Sequence, residues 1–150
     1  MHSYFHEEAV RRELPGIILL SHGGLAIGMR ETAEIVLGCT DNLAAFSLDP
    51  EDDPVSFREA FLRAAAAFPA GVVVFVDMFG GSPCNQLLLG AEEIPVPYCA
   101  FSGMNLPLIS EAIAMRELCG GEALRTAILA VVPHAIMDLG AKISELYGTE

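Results

Sequence analysis

Apolar positions fall into two kinds of pattern along the chain. The first is the short continuous run: Ile17-Ile18-Leu19-Leu20, then 43–48, 72–76 and 96–101. Such runs suit parallel strands buried on both faces. They predict strands at 16–21, 43–48, 71–76 and 96–101. The second pattern is helical spacing. Leu25 to Leu37 fits a helix closed by Gly38 just past its end. Phe57, Ala60, Phe61, Ala64, Ala65 and Phe68 form one apolar face of another, with Asp53 as its cap and Pro54 at its first position.

Pro69-Ala70-Gly71 breaks that helix before the most apolar strand, and Asp77 stands at the strand's carboxyl end. Gly80-Gly81 turns the chain, Ser82 is the expected cap, and Pro83 opens a short helix to about Leu89. Pro107 opens a further helix to about Leu118, which Gly120-Gly121 ends. The tail from Glu122 to Tyr147 is helical in pattern, and Pro133 predicts a kink or a split. The run 127–132 fits either a helix or a strand by periodicity.

Strands alternating with helices predict an α/β domain: an open, mostly parallel sheet with helices on both faces. The 150 residues fit one domain, with 1–15 as an N-terminal extension and 16–150 as the domain proper. No apolar run approaches the roughly 18 residues of a membrane helix. The charged N-terminus has no apolar core of the secretory type.

Charge narrows the partners. Eight basic against 20 acidic residues leave a net charge of −12. This disfavours nucleic acid and anionic lipid and favours a basic protein partner. Cys39, Cys84, Cys99 and Cys119 form no CxxC pair and read as buried thiols in a reducing cytoplasm.

Ligands of open α/β sheets bind beyond the carboxyl ends of the strands. Three segments meet there: Ser21-His22-Gly23-Gly24, Asp77 with Gly80-Gly81-Ser82-Pro83, and Ser102-Gly103-Met104-Asn105. His22 is the candidate for chemistry, because imidazole is a nucleophile and proton carrier near neutral pH. A carboxylate on its other nitrogen would fix the tautomer, and Asp77 is placed to do so. The bland alternative is a histidine that only bonds loop backbone. Backbone N–H groups of Gly80, Gly81 and Ser82, with the Ser82 hydroxyl, would make an anion site; alternatively the serine is an ordinary cap. Ser21 is a possible supporting residue. Asn105 either contacts ligand or caps the next helix, and the cap is favoured. His2, His6, Tyr4 and Phe5 read as mobile or packing residues, His134 as structural or exposed, and Glu51-Asp52-Asp53 as a solvated loop without the further ligands a metal needs.

The stretches Gly16–Met29, Val72–Asn85 and Ser102–Leu108 together resemble the mannose-family enzyme IIA of the phosphoenolpyruvate-dependent sugar phosphotransferase system. The resemblance implies a cytoplasmic phosphocarrier. The protein HPr, phosphorylated, would donate to Nε2 of His22; Asp77 would pair with the other ring nitrogen, and Ser82 would lie by the phosphoryl group. The acceptor would be a IIB protein on a separate chain. No metal or cofactor is needed for histidine-to-histidine transfer. A strand-exchanged homodimer is implied, and contact with the membrane only through the IIC/IID transporter. Two features depart from the family: the extension before Gly16, and Phe79 where the mannose member has Trp. Two rival readings are a phosphodonor or regulatory subunit of the dihydroxyacetone-kinase type, and a metal-binding tetrapyrrole chelatase.

Overall fold

The computed structural model describes residues 1–38 and 40–148. Its strands are β1 (His2–Tyr4), β2 (Gly16–His22), β3 (Leu43–Leu48), β4 (Val72–Val76) and β5 (Tyr98–Ser102). Its helices are α1 (Leu25–Leu37), α2 (Pro54–Ala66), α3 (Ser82–Gly90), α4 (Leu106–Met115), α5 (Gly121–Val131) and α6 (Leu139–Tyr147). The strands form one five-stranded sheet in the order β1-β3-β2-β4-β5. Only β1 runs antiparallel, pairing His2 with Ser47 and Tyr4 with Ala45. The predicted mostly parallel α/β sheet is therefore present.

Alternation along the central strands divides the core. Ile18, Leu20, Ala44, Phe46, Val74 and Val76 face one side, where Phe57 and Phe61 of α2 and Leu87 of α3 cover them. Ile17, Leu19, Ala45, Val73 and Phe75 face the other, under Ala26 and Ala33 of α1, Ile109 of α4 and Ile128 of α5. Burying both faces is what lets these strands be apolar throughout.

Most helix boundaries follow local chemistry. Asp53 caps α2 by accepting the Ser56 N–H at 2.9 Å, with Pro54 at the first position. Gly38 closes α1 at φ +83°. Phe68 lies just beyond α2 rather than on it. It is still buried, edge-on to Phe5 with centroids 5.8 Å apart.

Several expectations need correction. Ser82 is the first residue of α3 and not its cap; Gly81 holds the cap position in extended conformation (φ −79°, ψ 166°), without a capping side chain. His22 ends β2 instead of opening the loop. β5 starts at Tyr98, two residues late, because Pro95 and Pro97 carry no N–H for the ladder. α4 stops at Met115, short of Leu118. Ala127–Val131 is helical, and Pro133 splits the tail through a 3₁₀ turn at Val132–His134.

The N-terminal extension supplies the edge strand β1, and the Tyr4 ring lies 3.3 Å from the Arg30 guanidinium carbon. Cys84 is buried, while Cys99 and Cys119 are half-buried; Cys39 lies outside the described residues. Burial pushes the Cys99 thiol up to about 11. Among the described residues no single helix is long and apolar enough to cross a membrane. α5 with its 3₁₀ turn and α6 reach that composition only as a pair bent by 60°.

Candidate active site

Parallel pairing of β2 with β4, Leu20 opposite Val76, brings the ends of both strands to one edge. His22 is the last residue of β2, and Asp77 follows β4 directly. Asp77 Oδ2 accepts the His22 backbone N–H at 2.8 Å and lies 2.7 Å from His22 Nδ1. Its other oxygen, Oδ1, accepts the Met78 N–H at 2.8 Å. Two backbone amides thus fix the carboxylate before it meets the ring. An ionised carboxylate only accepts, so Nδ1 carries a proton, and in the neutral ring that tautomer leaves the lone pair on Nε2. The imidazole is about half exposed at 47%, whereas Asp77 is 10% exposed. The pair is anchored from below and reachable from above.

Beside the ring lies the start of α3. Gly80 has φ +84°, a turn that a residue with a Cβ resists. A Cβ on Gly81 would stand 2.4 Å from His22 Cε1 and 3.2 Å from Nε2. The Nε2 edge therefore abuts the amino end of α3. α2, α4 and α6 are capped by Asp53, Asn105 and Asp138, whereas α3, like α1 and α5, has a glycine at the cap position and no capping side chain. With glycine at the cap position, forgoing a capping side chain costs a helix only about a few tenths of a kcal/mol. It leaves first-turn N–H groups and the positive end of the dipole for an anion. Ser82 is exposed there. A cavity of about 320 Å³ joins His22 and Ser82 to Leu48, Asp49 and Pro50.

The two supporting candidates act on backbone. Ser21 is fully buried, and its Oγ accepts the Ala26 N–H at 2.7 Å, holding the turn into α1. Asn105 caps α4, accepting the Leu108 N–H at 3.1 Å while its amide donates to Gly103 O at 2.8 Å. Among the described residues, neither side chain is hydrogen-bonded to His22.

The acidic loop is ordered rather than merely solvated. Asp52 accepts the Asp49 N–H at 2.7 Å and pairs with the Met1 amine. The amine, and then the Asp49 amide, hold its carboxyl below the usual range. The Ser56 hydroxyl and amide do the same for Asp53. His2 Nδ1 lies 3.4 Å from Asp49 Oδ2, so β1 reaches the rim of the site. A three-residue strand leaves too little alternation to be read from sequence. His134 is exposed, and the His6 ring meets Tyr4 edge-on at 4.8 Å. Leu25, shortly after His22, and Met78 and Phe79, directly after Asp77, are exposed apolar residues, with Phe79 76% exposed. Among the described residues, no three His, Cys, Asp or Glu side chains are grouped to hold a metal ion.

The architecture is that of the sugar-phosphotransferase IIA components. The EIIA structure from Streptococcus agalactiae superposes with a TM-score of 0.78, covering 85% of this chain and 99% of that one at 22% identity, a likeness of fold. A putative phosphoenolpyruvate-dependent sugar phosphotransferase permease from Klebsiella pneumoniae matches with TM-score 0.70 and 27% identity, over 89% and 97% of the two chains. In sequence, the fructose-specific EIIA component of Bacillus subtilis is 29% identical over 104 residues, 67% of this chain and 70% of that one. The mannose-specific EIIAB component of Escherichia coli is 29% identical over 106 residues; the match takes in 67% of this chain but only 32% of that longer protein. Residues 16–129 match the EIIA-man family, the PTS system fructose IIA component, and the chain belongs to that family. It is an enzyme IIA of the mannose/fructose type, a phosphocarrier of a sugar phosphotransferase system.

Proposed function

We propose that the chain accepts a phosphoryl group from phospho-HPr on Nε2 of His22 and passes it to a separate IIB protein. The 2.7 Å approach of Asp77 Oδ2 to His22 Nδ1 carries this reading, because it leaves Nε2 as the nucleophile. The Nε2 lone pair attacks phosphorus in line with the donor's P–N bond. That bond breaks as the P–Nε2 bond forms, and the electron pair leaves on the donor imidazole. The Nδ1 proton stays between ring and carboxylate, where Asp77 offsets the charge that develops on the ring. Ser82 and the amides of Gly80, Gly81 and Ser82 bind the equatorial oxygens. Transfer onward reverses the same steps.

Both protein partners are ones the family implies in general. The exposed apolar residues Leu25, Met78 and Phe79, on the segments that follow His22 and Asp77, suit a protein docking face. Dependence on HPr places the work in the cytoplasm, with the membrane reached only through the IIC/IID transporter. The strand-exchanged homodimer belongs to the same proposal. Its support is an α6 that buries no residue, with Leu139 at 64% and Leu146 at 68% exposed, and an open sheet edge along β5.

The test is phosphorylation with phosphoenolpyruvate, enzyme I and HPr, read by intact mass at neutral and acid pH. Wild type should gain one acid-labile phosphoryl group and lose it to a IIB acceptor, and His22→Ala should gain none. Phosphate uptake by His22→Ala would remove the assignment. Transfer only to a dihydroxyacetone-kinase subunit would reassign the acceptor.

A further inference from the structure

Adjacent glycines at 80 and 81 differ in what they need. Gly80 sits at φ +84° with nothing within 4 Å of a built Cβ, so its requirement is conformational. Gly81 is the reverse case. Its φ of −79° and ψ of 166° are open to any residue. Yet a Cβ there would overlap the imidazole, 2.4 Å from Cε1, and stand 3.3 Å from Met78 Cγ. The glycine at 81 is needed for space, and the group that takes the space is the His22 ring.

We infer that Gly81 is a positioning residue for His22: its bare Cα is the wall against which the imidazole seats. Asp77 grips the ring at Nδ1, and Gly81 meets it at the Cε1–Nε2 edge. Between them they set where Nε2 points relative to the amino end of α3. A methyl at 81 would push the ring outward, stretch the Nδ1 contact and cover part of Nε2. The consequence for transfer rests on the proposed phosphocarrier reading, whereas the steric claim does not.

Gly81→Ala is the informative variant, and Gly120→Ala is its control. Gly120 also holds a helix cap position, at the start of α5, and a Cβ there meets only Pro15 Cγ at 3.8 Å. We expect Gly81→Ala to slow phosphoryl uptake from phospho-HPr by about 10²-fold, the usual effect of misplacing a reacting group by an ångström. Gly120→Ala should transfer at the wild-type rate. The ¹⁵N resonances of the His22 ring should move away from the Nδ1–H pattern in Gly81→Ala alone. Thermal melts complete a cycle. Gly81→Ala should lower Tm in the wild-type background and leave it nearly unchanged in a His22→Ala background, where the ring is gone. Should Gly81→Ala fail to fold alone, folding of the His22→Ala/Gly81→Ala double variant carries the same answer. Equal loss of Tm in both backgrounds, or unmoved ring resonances with wild-type transfer, would overturn the inference. If wild type takes up no phosphoryl group, the functional reading falls, and the melts and resonances still decide the role of Gly81.

Discussion

At the scale of single residues, the site depends on Asp77 being held before it holds anything else. Two backbone N–H groups fix its carboxylate, and the imidazole contacts an oxygen already in place. Asp77→Asn keeps the shape but removes the charge. Phosphoryl transfer should fall by about 10²–10⁴-fold, the range for losing a histidine-orienting carboxylate. Rapid-quench rates with phospho-HPr would measure it, and an unchanged rate would take Asp77 out of the mechanism. Asp53 gives a pH test. Its carboxyl is held below the ordinary 3.8 by the Ser56 hydroxyl and amide. A depressed carboxyl stabilises the fold above its unfolded value and loses that effect as pH falls through the folded one. The Tm gap between wild type and Asp53→Ala should be present at neutral pH and close as the pH drops below the aspartate range. The His22–Asp77 contact was legible in the sequence because strand ends in parallel sheets converge. The place of Ser82 was not. Which of two neighbours is extended and which helical is decided by backbone angles, and serine suits both.

At the scale of elements, the sequence was clearest where a start signal and a stop signal bracketed one run. α1 before Gly38, and α2 behind Asp53-Pro54, begin where expected. The run 127–132 was ambiguous locally. Leu124 and Ile128, four apart and both buried, make it a helix, and that pair extends beyond a strand-sized window. β1 could not be read, since three residues show no period and their pairing with β3 is wholly long-range. Close packing supplies the prediction here. A Cβ on Gly16 would fall 2.2 Å from Phe68 Cδ2, and that ring is buried and cannot swing away. Gly16→Ala should therefore destabilise by about 1–3 kcal/mol, as overpacked cores do. Urea unfolding would show a lower midpoint with an unchanged slope. Stability equal to wild type would mean that the β2–α2 junction is looser than its geometry.

At the scale of the whole molecule, charge and exposed apolar surface govern association. The net charge of −12 should draw a basic partner, so the encounter rate with phospho-HPr should fall steeply with added salt while the bound-state chemistry does not. Stopped-flow rates across an ionic-strength series would show this, and a flat profile would remove electrostatic steering. Sedimentation should find a homodimer at micromolar concentration, consistent with the uncovered apolar residues of α6; a monomer there counts against the assembly. The proposed mechanism converges on one bond, phosphorus to Nε2 of His22. The most direct measurement is a ¹⁵N–³¹P correlation spectrum of the phosphorylated protein carrying ¹⁵N-histidine. The account predicts a single phosphohistidine, with phosphorus coupled to Nε2 and the Nδ1 proton retained toward Asp77. Phosphorus on Nδ1, on another histidine, or on the Ser82 hydroxyl would contradict it.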